Sequence, residues 1–226
     1  MITRIALITV VGLLAGCITI GTGDKAPAHS YLQLQDVGQG PGRPQPLIEA
    51  LLIRPEPGDA LADTVSIAYS PAPNRFSLYQ FASWTERPVR RLPLLLARRL
   101  EQRGVVAAVG QLGDPLRADW LLTLRVDTLY HDVGATPNHA RVGLTAGLYD
   151  RRQRVQRGRQ SFVADVTMTG SDSSSAAAAM SQATAQTFDQ LVPWLERVLA
   201  AHAGAGAGSS DAAPSAAAVA ASTASR

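Results

Sequence analysis

The sequence contains little of the chemistry on which disulfide-linked, metal-dependent and nucleic-acid-binding proteins depend. It has one cysteine, Cys17, which excludes an internal disulfide and a cysteine-rich metal site. It has one lysine, Lys25, and its 21 basic residues barely exceed its 18 acidic ones, so the formal net charge is +3. A charge this small argues against binding to nucleic acid. The folded part must therefore be held together by an ordinary hydrophobic core.

The sequence also lacks the common local signatures of catalysis. It contains no Gly-x-Ser-x-Gly motif, no phosphate-binding Gly-x-x-x-x-Gly-Lys loop and no Gly-x-Gly-x-x-Gly after a strand. His131 and Asp132 could form a general base and its orienting carboxylate, although a solvated pair in a turn is the simpler interpretation. No two of the four histidines have helical metal-ligand spacing. The four are His29, His131, His139 and His202. The sequence therefore predicts no catalytic residue, no cofactor and no metal site.

The most specific pattern lies at the N-terminus. Residues 5–14 form an apolar run of about ten residues, the length of a signal peptide and too short to span a membrane. The motif Leu14-Ala15-Gly16-Cys17 that follows resembles a bacterial lipoprotein signal, in which the cysteine thiol receives diacylglycerol before cleavage. This resemblance predicts removal of residues 1–16 and lipid attachment at Cys17. The alternative is a plain secretory signal that is cleaved nearby.

Composition divides the rest of the chain into a folded region between two tails. Residues 17–30 are rich in Gly, Thr, Ala and Pro without an apolar period, which is typical of a flexible tether. Residues 201–226 are nearly all Ala, Gly and Ser, too few large apolar side chains to offset the entropy of ordering, so we expect a disordered tail. Residues 31–200 are predicted to form a single domain.

Apolar periodicity within this region predicts an α+β fold. Three long segments with alternating apolar residues predict an antiparallel meander with one wet face, and leucines at helical spacing before Gly104 predict a helix that starts at Pro93. We therefore expect a largely antiparallel sheet with two main helices packed on it. The predicted elements are strands at 31–35 and 47–54, a hairpin around Ile67 and Leu78, a helix at 93–103, a strand at 105–109, meander strands at 120–130, 142–148 and 162–168, and a helix at 173–200.

One charged cluster and one aromatic residue are candidates for binding a partner. Five arginines crowd the predicted turn between the second and third meander strands, and guanidinium groups bind phosphate or carboxylate well. The simpler interpretation is a solvated turn. Trp84, beside the hairpin, could anchor a partner or belong to the core. The arginines are Arg151, Arg152, Arg154, Arg157 and Arg159.

Several markers in combination resemble a known family. Asp63–Tyr69 runs into Phe76–Tyr79, Trp84 precedes a helix rich in Leu and Arg, and Ala118–Leu122 enters a long strand. With the lipoprotein motif, Tyr31-x-Leu and Trp194, the chain is similar to the ABC-type transport auxiliary lipoproteins, the PqiC-like partners of MCE (mammalian cell entry) domain lipid transporters. The resemblance spans residues 31–199.

The resemblance implies a periplasmic, lipid-anchored domain that associates with an MCE-domain protein and its ABC transporter. It also implies that the protein forms a homo-oligomer. Ile18 stands where an aspartate would resemble an inner-membrane retention signal, so we expect the protein to be located at the outer membrane. Two alternatives remain open. One is an envelope assembly or structural lipoprotein whose arginine-rich turn binds lipopolysaccharide or peptidoglycan, and the other is an envelope hydrolase.

Overall fold

The computed structural model describes residues 28–203, which form a mixed eight-stranded sheet with two helices packed on it. This arrangement confirms the predicted α+β class. The strands are β1 (Ser30–Leu32), β2 (Ile48–Glu56), β3 (Ser66–Ala72), β4 (Arg75–Trp84), β5 (Val106–Gln111), β6 (Trp120–Asp132), β7 (His139–Asp150) and β8 (Val155–Thr167); the helices are α1 (Pro88–Gln102) and α2 (Ser173–Ala203), and a short 3-10 helix spans Ala60–Asp63.

Strand β6 organises the sheet. One of its edges pairs with β7 along nearly the whole strand, and β8 pairs with β7, so the predicted antiparallel meander is confirmed. The other edge divides between two partners: its first half runs parallel to β2, and His131 and Asp132 at its end run parallel to β3. The sheet therefore forks into a β2–β5 branch and a β3–β4–β1 branch. The hairpin formed by β3 and β4 belongs to this second branch.

Helix α1 begins five residues earlier than the sequence pattern predicts. Pro88, not Pro93, occupies the first turn, where a missing N–H costs no helical hydrogen bond. Pro93 lies inside the helix and is buried in the face that carries the leucines. The predicted stop is confirmed, because Gly104 adopts φ 63° while Val105 N–H donates to Leu100 O and Gly104 N–H to Glu101 O, the Schellman pattern.

Helix α2 closes the domain over β7 and β8. Asp172 caps its first turn by accepting hydrogen bonds from the N–H groups of Ser174 and Ser175 at 2.9 and 3.0 Å. The helix is continuous through Pro193 and extends to Ala203, so residues 201–203, predicted from composition to belong to the tail, are helical. The remainder of the tail lies outside the described residues, as do residues 1–27 with Cys17.

Strand irregularities change which side chains are buried. Strand β1 is shorter than predicted and β2 is longer, continuing through Pro55 to Glu56. An irregularity in the pairing of β6 with β7 between Val126 and Thr128 shifts the alternation, so Leu129 is buried where the pattern predicts Tyr130. Inserting one residue into a strand moves every later side chain to the opposite face, which the sequence pattern alone does not show.

Candidate interaction surface

The hairpin of β3 and β4 carries a strand edge that is open over most of its length. The two strands join at a tight turn in which Asn74 adopts φ 60°, a conformation that asparagine tolerates. Strand β1 pairs with β4 only at residues 82–84. Within residues 28–203, no strand covers the outer edge of β4 from Arg75 to Phe81.

This open stretch carries apolar side chains that are about half exposed. Phe76, Leu78 and Phe81 have exposed fractions of 47%, 47% and 50%. Phe76 contacts Tyr130 edge-to-face, with 5.2 Å between ring centroids. Single exposed apolar residues are common on protein surfaces, whereas three on one seven-residue stretch of an open edge make this strand a candidate interface.

Leu78 and Phe81 border an open surface cavity of about 390 Å³. The cavity lies between the hairpin, the β6–β7 loop and the start of α2, and Gln80 and Ser171 supply its polar positions. Its remaining lining residues are Tyr69, Tyr79 and Val133. Most lining residues of this cavity are therefore aromatic or aliphatic, and such a lining suits a large apolar side chain of a bound partner.

A bulge in β4 explains how one strand lines the cavity and also contacts the interior. Ser66 pairs with Ser83 whereas Ala68 pairs with Leu78, so β4 has three more residues than β3 across this interval. The extra length lets Tyr79 turn toward β6 while Phe81 remains at the surface. Bulges commonly redirect a side chain in this way beside functional sites.

Tyr79 ties the hairpin to a fully buried histidine. Its hydroxyl is hydrogen-bonded to His131 Nδ1 at 2.7 Å and lies 3.3 Å from the carbonyl of Ser171, and the two rings are nearly parallel. Burial, with the charge of Asp172 next, raises the pKa of Tyr79 to about 12. Burial also lowers the pKa of His131. The pair therefore stays neutral near pH 7 and fastens the hairpin to β6 and the start of α2.

The catalytic and turn interpretations of His131 with Asp132 are both corrected by this geometry. His131 lies in β6 with none of its surface exposed, and its Nδ1 faces Tyr79. Asp132 instead accepts hydrogen bonds from the N–H groups of Gly134 and Ala135. Among residues 28–203, no cluster of His, Cys, Asp and Glu has a geometry that could hold a metal ion.

The arginines of the β7–β8 turn point to different partners rather than to one ligand. Arg157 lies 3.0 Å from a carboxylate oxygen of Asp150, and Arg152 and Arg154 are exposed. Burial alone would raise the pKa of Asp150, but hydrogen bonds from Gln153 and Arg157 hold it below its ordinary value. The other two arginines bond elsewhere: Arg151 donates to Ala118 O at 2.6 Å, and Arg159 to Glu56 at 3.3 Å.

Trp84 belongs to the core, so its alternative role as a partner anchor is wrong. Only 1% of its surface is exposed, and it packs within the same cluster as Leu92 and Leu96 of α1. The sequence pattern placed the aromatic residues of the hairpin together but did not separate buried from exposed ones. The available signal was that apolar residues occupy both odd and even positions of β4, as at Phe76, Leu78 and Phe81. Neither face of such a strand is purely polar.

The described part of the chain contains no helix that is both long enough and apolar enough to span a membrane. The family model for the ABC-type transport auxiliary lipoprotein component matches residues 34–192. No curated protein matches the chain.

Three solved structures resemble the fold. Protein XCC0632 from Xanthomonas campestris is 21% identical, with 78% of this chain and 99% of that one covered and a TM-score of 0.65. A second, uncharacterized protein is 13% identical with a TM-score of 0.58, over 74% of this chain and 99% of that one. The hypothetical protein CT253 from Chlamydia trachomatis is 12% identical with a TM-score of 0.44, over 68% and 99% of the two chains. At these identities, the first two similarities establish the fold alone.

Proposed function

The chain belongs to the ABC-type transport auxiliary lipoprotein family, and from that premise we propose that it is a noncatalytic accessory component of an MCE/ABC-type intermembrane lipid transport system. The family match over residues 34–192 is the observation that carries this proposal. The match covers strands β2 to β8, α1 and about two thirds of α2, and these elements form most of the core.

The exposed hairpin supports a role that depends on docking rather than catalysis. Its apolar side chains at Leu78 and Phe81 border a cavity without a charged lining residue, and Phe76 on the same strand is about half exposed. The buried titratable pair, Tyr79 and His131, is used to hold the hairpin in place. An accessory protein needs a surface of this kind to contact its transporter.

The proposed anchor places the domain close to a membrane. With diacylglycerol on Cys17, residues 18–27 connect the lipid to the first described residue, and ten residues reach at most about 35 Å. Two or more acyl chains hold a protein on a bilayer far more firmly than one does. Since Ile18 stands where an aspartate would resemble a retention signal, the proposed location is the periplasmic face of the outer membrane.

Co-purification tests the proposal directly. The full-length chain, expressed with a candidate MCE-domain protein, permease and ATPase from the same organism, is affinity-purified from gently solubilised membranes. We expect the MCE-domain protein to be recovered in stoichiometric amounts. Its absence, even after chemical crosslinking, would contradict the proposal.

A second candidate function follows from the exposed turn arginines. Arg152 keeps 74% of its side chain exposed, and Arg154 is exposed at the turn where its φ is 58°. Under this alternative, the protein is an envelope assembly lipoprotein that binds lipopolysaccharide or peptidoglycan. Replacing both residues by glutamate should then abolish binding to lipopolysaccharide micelles and sedimented peptidoglycan, whereas a transport accessory protein should still recover its MCE-domain partner.

A further inference from the structure

We infer that the open edge of β4, from Arg75 to Phe81, receives an extended segment of the transport partner as an added β-strand. An apolar side chain of that segment would enter the cavity beside Leu78 and Phe81. The inference rests on the proposed function, which supplies the partner. It goes further by specifying the contact surface, the mode of binding and the chemistry of the bound segment.

The backbone of β4 supplies the first argument. Seven consecutive residues, about 23 Å of strand, have no strand paired to their outer side within the described chain. Natural proteins protect such edges with lysine, proline or a covering element. Residues 75–81 contain neither lysine nor proline, and the bulge beside Tyr79 is one protective irregularity of this stretch. An edge left open in this way is suited to pairing with another strand.

The side chains supply the second argument and define the chemistry of the segment. Phe76 lies against Tyr130, whereas Leu78 and Phe81 border the cavity that Tyr69 and Tyr79 line. An added strand places alternate side chains on opposite faces of the sheet. The matching segment therefore carries large apolar or β-branched residues on both faces and no charge at its centre.

The parts of this chain that precede and follow the described residues are poor occupants by composition. The segment that would continue β1 along the edge of β4 contains Asp24, Lys25 and Pro27, and proline cannot donate to a ladder. Residues 204–226 follow a 31-residue helix, about 46 Å long, that begins beside the cavity. Much of that segment would be used in returning to the hairpin, and it is mostly Ala, Gly and Ser, which pair weakly in strands.

A second copy and a lipid surface also fit less well. A second copy would pair its own β4 edge with this one, antiparallel about Leu78, and that register places the charged Arg75 opposite Phe81 at both ends of the pairing. A lipid surface would cover the phenylalanines but leave the backbone N–H and C=O groups of the edge unpaired in an apolar medium, at considerable cost. A protein strand satisfies both requirements.

Site-specific photocrosslinking tests the contact. Benzoylphenylalanine is placed at Leu78 or Phe81 in the full-length chain, expressed with the candidate MCE-domain protein, permease and ATPase, each carrying a different tag. The matched control position is Val163, an exposed apolar residue on β8, the strand at the opposite edge of the sheet. We expect a crosslink to one tagged subunit from the two β4 positions and none from position 163.

Amide hydrogen exchange on the purified complex then separates strand pairing from side-chain docking. Outward-facing amides within residues 75–81 should exchange at least tenfold more slowly in the complex than in the free protein. Co-purification without a crosslink from β4 would overturn the inference and leave the proposed function standing. A crosslink without amide protection would overturn strand addition. A crosslink to a second copy, or protection that is lost on deleting residues 204–226, would replace the partner with this chain itself.

Discussion

Arg99 in α1 and Asp36 in the loop after β1 form an ion pair inside the protein, with Arg99 Nε donating to Asp36 Oδ2 at 2.7 Å. The Arg99 side chain is 2% exposed and also bonds Asp189 of α2. Burial lowers the pKa of Arg99, but the two carboxylates more than compensate and hold it above its ordinary value. The loop that follows β1 is therefore fixed to both helices by one guanidinium group.

Removing Asp36 should destabilise the domain strongly. The change Asp36→Ala leaves a buried guanidinium with only the partly exposed Asp189 as partner, and breaking a buried pair costs about 3–5 kcal/mol. Urea denaturation followed by tryptophan fluorescence measures the free energy of unfolding. The control is Asp63→Ala, which removes the exposed partner of Arg87 and should cost at most about 1 kcal/mol. Equal losses in the two variants would show that the buried pair has no special role.

The loop around this ion pair should be intolerant of a single added methyl group. A Cβ at Gly38 would lie 1.8 Å from a terminal nitrogen of Arg99, so Gly38→Ala must displace the guanidinium. We expect a loss of about 1–3 kcal/mol, as for an overpacked core. Gly42→Ala is the matched control, because its nearest contact is an ordinary 3.5 Å and its cost should stay within about 0.5 kcal/mol. A thermal melt of both variants beside the wild type checks the difference.

The buried histidine should make stability fall under mild acid. Burial lowers the pKa of His131, with Asp132 opposing and His139 adding to the shift, so the unfolded chain binds a proton below about pH 6.5 that the folded protein resists. Stability is therefore present above that pH and is lost as pH falls toward the folded-state pKa. His131→Asn should reduce the difference in unfolding free energy between pH 7.5 and 5.0.

The matched control for this prediction is His29→Asn, which alters an exposed residue near β1 and should leave the pH dependence unchanged. The comparison uses the difference between two pH values, so a general loss of stability in either variant does not affect it. An unaltered pH difference in His131→Asn would contradict the prediction.

The lipid anchor should depend on a single sulfur atom. Cys17→Ser replaces the thiol that would carry diacylglycerol, so we expect the variant to accumulate uncleaved and to lose the mass of the acyl groups. Mass spectrometry of the intact protein and fractionation of membranes check both results. Ser30→Ala, which leaves the motif intact, is the control. Normal maturation of Cys17→Ser would support the alternative of a plain secretory signal.

The sequence by itself determined the elements whose signals are local. Alternating apolar residues along β6, β7 and β8 identified the meander, and Gly104 identified the end of α1, because a strand period or a left-handed cap is set by residues a few positions apart. The leucine stripe of α1 was identified for the same reason. Its start was not, since Pro88 and Pro93 are equally compatible with a first turn until the helix is packed.

Only the tertiary structure decided which elements meet and which edge stays open. Tyr79 contacts His131 across 52 positions, and Arg99 contacts Asp36 across 63, so neither pair has a local pattern. The parallel pairings of β2 and β3 with β6 and the bulge in β4 likewise depend on partners distant in the chain. Periodicity shows only that an apolar residue occupies a strand position. Whether Phe81 is buried depends on a neighbouring strand, and the pairing of β1 with β4 starts only at Ala82, the residue after Phe81.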